Sequence, residues 1–223
     1  SNPSGDFNYR IFNASGEEVG QCGNGARCLA RYIHDEQLCS KEVVTVATTT
    51  SLMHLKVQSP TLITVDMGEP NLSPEAIPLK VQSIADYYPF EVDGNIHYLH
   101  ALSVGNPHGI LITEKVTDEL VKNLGPKLSA HPLFLNGANI SFVEKINDET
   151  IKLRVFERGV GETNACGSAA VAAAVALQLY HNGAELITTI LPGGELSIYW
   201  QGLGHSIHCN GPAMSIFDGK INI

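Results

Sequence analysis

Two stretches of this chain are one stretch written twice. Arg10 to Ala30, RIFNASGEEVGQCGNGARCLA, and Arg154 to Ala174, RVFERGVGETNACGSAAVAAA, match without a gap at the offset that separates Cys22 from Cys166, 144 residues. The overlay pairs Arg10 with Arg154, Phe12 with Phe156, Glu18 with Glu162, Cys22 with Cys166, Gly23 with Gly167 and Ala26 with Ala170. Solenoid units run to roughly 20 to 50 residues, so this long period reads as two domain-sized halves descended from one. In each half a strand and a short glycine-bearing loop lead to a Cys-Gly that opens an alanine-rich helix.

A cysteine at that position has chemical meaning. The first N–H groups of a helix and its dipole favour negative charge, so a thiol there is expected to have a lowered pKa and to serve as a base. The same N–H groups form an anion site that can hold a carboxylate beside the sulfur. If the halves face each other, two cysteines flank one bound acid. A lone cysteine is usually a small buried hydrophobe. Recurrence in the same register of the repeat, before the same glycine, sets Cys22 and Cys166 apart from Cys28, Cys39 and Cys209, which read as structural.

Composition narrows the partner. A net charge of −9, with 14 Lys plus Arg and no basic run, argues against nucleic acid or an anionic membrane and for a small molecule. No apolar run reaches the roughly 20 residues of a membrane span, and the opening SNPSGDFNYR lacks the charged and apolar regions of a signal peptide. Five cysteines at irregular spacing are no disulfide framework, so the expected compartment is the cytoplasm. Cys22, Cys28 and His34 share a segment, but a six-residue step does not keep one helix face; no metal site is expected. No GxGxxG after a strand and no Walker motif appears, so no cofactor is expected either.

The pattern along the chain is many strands with one long helix per half, which disfavours a parallel βαβ sheet. Helices are expected over Gly23 to Asp35, Val116 to Leu124 and Gly167 to His181. Strands are expected over Tyr9–Asn13, Glu42–Thr50, Leu52–Gln58, Leu62–Met67, Val81–Ile84, Ile96–Val104, Gly109–Thr113, Asn136–Lys145, Thr150–Glu157, Glu185–Leu191, Glu195–Trp200, His205–Cys209 and Met214–Phe217. Gly68 to Pro78, with three prolines, reads as a linker. The first domain is expected over 1–68 and the second over 69–211.

Cys22-Gly23-Asn24-Gly25-Ala26-Arg27, the Gly105-Asn106-Pro107-His108 turn, and Glu157-Arg158-Gly159-Val160-Gly161-Glu162-Thr163 through Ala165-Cys166-Gly167 resemble, in order and spacing, the signatures of diaminopimelate epimerase. The resemblance covers essentially the whole chain. It implies an α+β fold of two pseudo-symmetric domains, each a curved, antiparallel-rich sheet or barrel around a central helix, with the active site in the cleft between them. It returns residues 212–223 to the first domain, and it places an opening segment of the family ahead of Ser1. The implied reaction interconverts LL- and meso-2,6-diaminopimelate, in lysine and cell-wall precursor biosynthesis, without pyridoxal and in a homodimer.

By the same resemblance Cys22 and Cys166 are the two catalytic bases. The α-carboxylate falls to the backbone N–H groups of Gly23, Asn24, Gly167 and Ser168, and the distal end of the substrate to Asn13, Asn106, Asn139 and Arg158. Glu157 takes the α-ammonium and, with His108, tunes the thiols. Ser168-Ala169 departs from the commoner Thr or Ser followed by Gly. A proline or hydroxyproline racemase would also use two cysteines, but the polar set Asn13, Asn139 and Arg158 favours a second carboxylate. A phenazine-biosynthesis-like isomerase lacks the cysteine pair. A dithiol redox protein, cycling Cys22 and Cys166 to a disulfide, is the alternative of a different class.

Overall fold

A computed structural model describes residues 5–12, 16, 18–19, 22–49, 52–59 and 61–220. The chain divides into two compact units, 1–66 with 210–223 and 67–209.

The first unit opens with β1 (Phe7–Asn8), β2 (Ile11–Phe12) and β3 (Glu18–Val19), followed by helix α1 (Gly23–Asp35) over the expected span. Three strands follow, β4 (Val43–Ala47), β5 (Leu52–Ser59) and β6 (Leu62–Asp66), joined as an antiparallel meander that β1 extends in parallel on β4. Ala26, Ala30 and Ile33 recur at helical spacing, are at most 3% exposed, and face the sheet through β5 and β6. The small β2–β3 hairpin was not foreseen: its second strand is only two residues, inside what reads as a polar loop.

The second unit runs β7 (Tyr88–Val92), β8 (Asn95–Ser103), β9 (Pro107–Thr113), α2 (Asp118–Ser129), β10 (Asn139–Asn147), β11 (Thr150–Glu157), β12 (Gly161–Thr163), α3 (Gly167–Tyr180), β13 (Leu186–Leu191) and β14 (Gly194–Tyr199). In β15 (His208–Gly211) the chain passes back to the first unit. Most neighbours are antiparallel, yet β9 and β10, bridged by α2, are parallel, and so are β11 and β13, bridged by α3. The sheet is therefore mixed, with two helix crossovers the strand-rich pattern hid.

Helix α3 explains why. From Ala169 to Leu177 no residue is more than 3% exposed, so this helix is apolar all round and touches β8, β9, β10, β11, β13 and β14. Six alanines between Ala169 and Ala176 keep it thin enough for strands to approach on every side. Ile140 and Phe142 of β10 join Val121 and Leu128 of α2 in one buried cluster. The two-residue period of a strand sends Asn139 and Ser141 to the opposite face, toward α3.

Several local expectations are corrected. The 68–78 segment is no free linker: Asn71 pairs with Ser103 and Ile77 is fully buried in the second unit. Val81–Ile84 is irregular, and the missed strand is β7, whose hairpin with β8 turns on Asp93-Gly94, both at positive φ. Helix α2 begins at the Thr117 cap and continues past Gly125-Pro126, since Gly125 packs on Phe156 closely enough that an added Cβ would sit 2.7 Å from its ring. Residues 212–220 form no strand, against the expectation for Met214–Phe217. No helix among the described residues is long and apolar enough to cross a membrane.

Candidate active site

Each unit presents a cysteine at the N-cap of a helix packed on its strands. Cys22 caps α1 with φ −149° and ψ 105°, and Cys166 caps α3 with φ −131° and ψ 115°. The backbone is extended up to the sulfur-bearing residue and helical after it, so Gly23 and Asn24, and likewise Gly167 and Ser168, hold the first two helical positions, whose N–H groups have no partner within the helix itself.

Around Cys22 the packing is close. Its Sγ accepts from Gly25 N at 3.4 Å. A Cβ on Gly25 would fall 2.2 Å from Tyr9 Oη and 3.5 Å from Cys22 Sγ, so the missing side chain lets a tyrosine hydroxyl lie on the first turn beside the thiol. Burial, with the charges of Cys22 and Cys28, pushes Tyr9 up to about 12, which keeps its proton on. Arg27, buried one turn on, donates to Asn24 Oδ1 at 2.8 Å and to Gly23 O at 3.5 Å, fixing the first turn of α1 from behind. Asn13 lies outside the described residues.

In the second unit the expected residues gather at one end of the sheet. His108 near the start of β9 pairs with Asn139 at the start of β10, and Glu157 ends the antiparallel β11 beside them. Asn139 Oδ1 accepts from Arg158 N at 2.8 Å, and Arg158 Nη1 donates to Asn136 O at 3.0 Å. Thr163 Oγ1 donates to Glu157 Oε1. Gly193 N donates to Asn164 O at 2.8 Å, which ties down the loop ahead of Cys166.

A directed chain of hydrogen bonds reaches the second sulfur. Asn106 Nδ2 donates to Ser168 Oγ at 3.3 Å, so its Oδ1 faces His108 Nε2 at 2.9 Å and must accept. His108 is then the Nε2–H tautomer; its Nδ1 is buried without a hydrogen-bond partner among the described residues. Ser168 Oγ lies 3.4 Å from Cys166 Sγ, and its hydroxyl donates to the sulfur whenever that is a thiolate. Full burial, with Arg158 nearby, drives His108 down to about 3, so the ring is neutral at any working pH. It orients Asn106 rather than supplying charge.

The expected acid shift of the thiol does not hold for Cys166. It is pushed up to about 12, first by burial at 7% exposure and then by the Glu157 carboxylate; the Ser168 hydroxyl and the Ala169 N–H pull the other way and are outweighed. Desolvation penalises the thiolate more than two hydrogen bonds and a helix end favour it. In this state Cys166 is a proton donor. Ser168→Ala removes one of the groups favouring the thiolate. The thiolate fraction of Cys166 near neutral pH, read as its rate of iodoacetamide alkylation, is expected to fall by up to about tenfold; an unchanged alkylation rate would show that the hydroxyl does not govern the thiol.

The diaminopimelate epimerase family model matches residues 1–73 and 100–215, a span holding all of these groups. The chain belongs to that family. Diaminopimelate epimerase of Legionella pneumophila strain Philadelphia 1 is 48% identical over 217 residues, 97% of this chain and 78% of the relative. That of Pseudomonas entomophila is 44% identical over 223 residues, 100% of this chain and 81% of the relative. A hydroxyproline epimerase from Agrobacterium vitis matches in structure at a TM-score of 0.68 and 12% identity, covering 94% of this chain and 69% of its own. A Bacillus anthracis protein of the phenazine-biosynthesis PhzF family matches at 0.63 and 14%, covering 97% and 80%. These two likenesses show the fold alone, which is of α+β type.

Within this epimerase-family chain two contributors were missed from the sequence. Tyr9 has no counterpart in the repeat, where Leu153 stands, so nothing singled it out. Ser168 was assigned through its backbone N–H only; a hydroxyl two residues after a cap cysteine was the available signal.

Proposed function

We propose that this chain epimerises diaminopimelate at an α-carbon by two-base proton transfer between Cys22 and Cys166. The observation that carries the reading is the duplicated cap: each repeat cysteine stands at the N-terminus of a helix packed on the strands of its unit, in matching backbone conformation.

In one direction the Cys22 thiolate removes the α-proton. The C–H electron pair spreads into the substrate carboxylate, whose developing charge is met by the N–H groups of Gly23, Asn24, Gly167 and Ser168. Cys166, held as a neutral thiol, gives its proton to the opposite face and is left as thiolate, with Ser168 donating to it. The reverse direction exchanges the roles. Glu157 binds the α-ammonium, and Asn139 and Arg158, already bonded to each other, receive the distal end with Asn13 and Asn106. Working as a cytoplasmic homodimer is part of the same reading; molar mass measured by light scattering checks the assembly.

Incubation with LL-diaminopimelate in deuterated water tests the reaction. Deuterium at one α-carbon together with meso product is expected. A folded protein that leaves the α-proton in place would end the reading.

A further inference from the structure

The repeat pairs two charged residues that the chemistry above does not use, Arg10 with Arg154 and Glu18 with Glu162. Each unit joins its own two in the same ion pair. Arg10 grips Glu18 with Nε to Oε1 at 3.1 Å and Nη2 to Oε2 at 2.8 Å. Arg154 Nε donates to Glu162 Oε1 at 2.6 Å.

The geometry follows from strand register. Phe12 lies opposite Glu18 across β2–β3, and Phe156 lies opposite Glu162 across β11–β12. An arginine two residues before the phenylalanine is then the diagonal neighbour of the glutamate on the same face. Each arginine is also steadied by a second group: the Arg10 guanidinium sits 4.9 Å from the centre of the Phe12 ring, and Arg154 Nη1 donates to Asp118 Oδ1 at 2.5 Å.

Both glutamates stand four residues ahead of a cap cysteine, in the short final strand before it and one position short of that strand's last paired residue, Val19 or Thr163. Both pairs reach solvent, with the side chains 67% and 26% exposed for Arg10 and Glu18 and 21% and 29% for Arg154 and Glu162, and ion pairs open to solvent contribute little to stability. What they can fix is direction: a hairpin that splays or twists moves the start of the loop, and with it the sulfur. Small misplacements of a reacting group cost much more in rate than in folding.

We infer that Arg10–Glu18 and Arg154–Glu162 are a duplicated clamp of positioning residues, each pinning the hairpin that aims one cap cysteine. The inference rests on the two-cysteine reading for its effect on turnover, but the placement of each sulfur is measurable without substrate.

The test uses charge reversal and exchange in the full chain. Arg10→Glu and Glu18→Arg are made singly and together, as are Arg154→Glu and Glu162→Arg, the second set in an Asp118→Asn background so that Asp118 does not oppose the exchange. Turnover, KM, the thermal midpoint, and the rate of iodoacetamide alkylation of Cys22 and Cys166 by mass spectrometry are read for each. Single reversals are expected to cut kcat by about tenfold or more, with KM within about twofold and the midpoint near that of the parent, and to alter alkylation of the cysteine in the same unit only. The exchanged pairs are expected to recover kcat and alkylation to within about threefold of the parent. The clamp is overturned if single reversals leave alkylation rates at the parent value, if losses merely track a falling midpoint, or if exchange restores nothing. Normal alkylation changes in a protein without epimerase turnover would instead keep the clamp and remove the reaction.

Discussion

Cys22→Ser or Cys166→Ser drops epimerisation by roughly 10²- to 10⁴-fold in a folded protein, the range expected for losing a general acid or base. Inversion needs one sulfur to take the proton and the other to return it on the far face, and a serine hydroxyl is too weak an acid to do either at neutral pH. Each single variant keeps one thiol. It is therefore expected to retain some exchange or elimination at the α-carbon of whichever stereoisomer its remaining base reaches, and the two variants should prefer opposite ones. Cys28→Ser serves as the control, since Cys28 is exposed on α1, one turn and more beyond the cap. Stereoisomer-resolved exchange followed by proton NMR decides the matter; near-parental turnover by Cys22→Ser in both directions would remove the two-base scheme.

Mild acid is expected to unfold the second unit, and His108 is the main reason. Its folded pKa, about 3, lies below the ordinary value of 6.5, so the neutral ring is what the fold accommodates. A depressed folded pKa means that the unfolded chain binds the extra proton first. The associated stability is complete above the unfolded value and is lost as pH falls from 6.5 toward 3. At about 1.4 kcal/mol per pH unit the loss reaches about 3 kcal/mol near pH 4.5. His100 and His181, both lowered by burial, act in the same direction. The carboxylates lowered by ion pairs and hydrogen bonds, Asp118 and Glu144 among them, enter only below their own unfolded values. Trp200, the single tryptophan, is 2% exposed in this unit and reports its unfolding by fluorescence. His108→Gln keeps an N–H donor for Asn106 without a titrating ring, and its midpoint should fall less between pH 7 and 4.5 than that of the parent. Equal acid sensitivity in both proteins would show that another group controls the transition.

The sequence by itself determined the duplication and the matched register of Cys22 and Cys166 within it. A gapless offset with cysteine before glycine, and an alanine run behind it, can be read without coordinates because register in a repeat is a one-dimensional property. The spans of α1 and β11 followed from periodicity alone, and the family resemblance carried the polar residues around the cysteines. The Asp93-Gly94 hairpin was missed although that pair is a strong turn signal, because the strand before it, Tyr88–Val92 with a proline inside, reads weakly. Tertiary structure decided what depends on surroundings. The Cys166 thiol is raised rather than lowered because burial and Glu157 outweigh its helix end, a balance set by neighbours distant in sequence. Asn106, Ser168 and His108 act as one chain because β9 and the start of α3 meet, and Gly25 is needed because Tyr9 arrives from outside the helix. The Arg–Glu pairs appeared in the repeat as unexplained letters, and only strand register, which turns a spacing of eight into a diagonal contact, showed that each arginine holds its own glutamate.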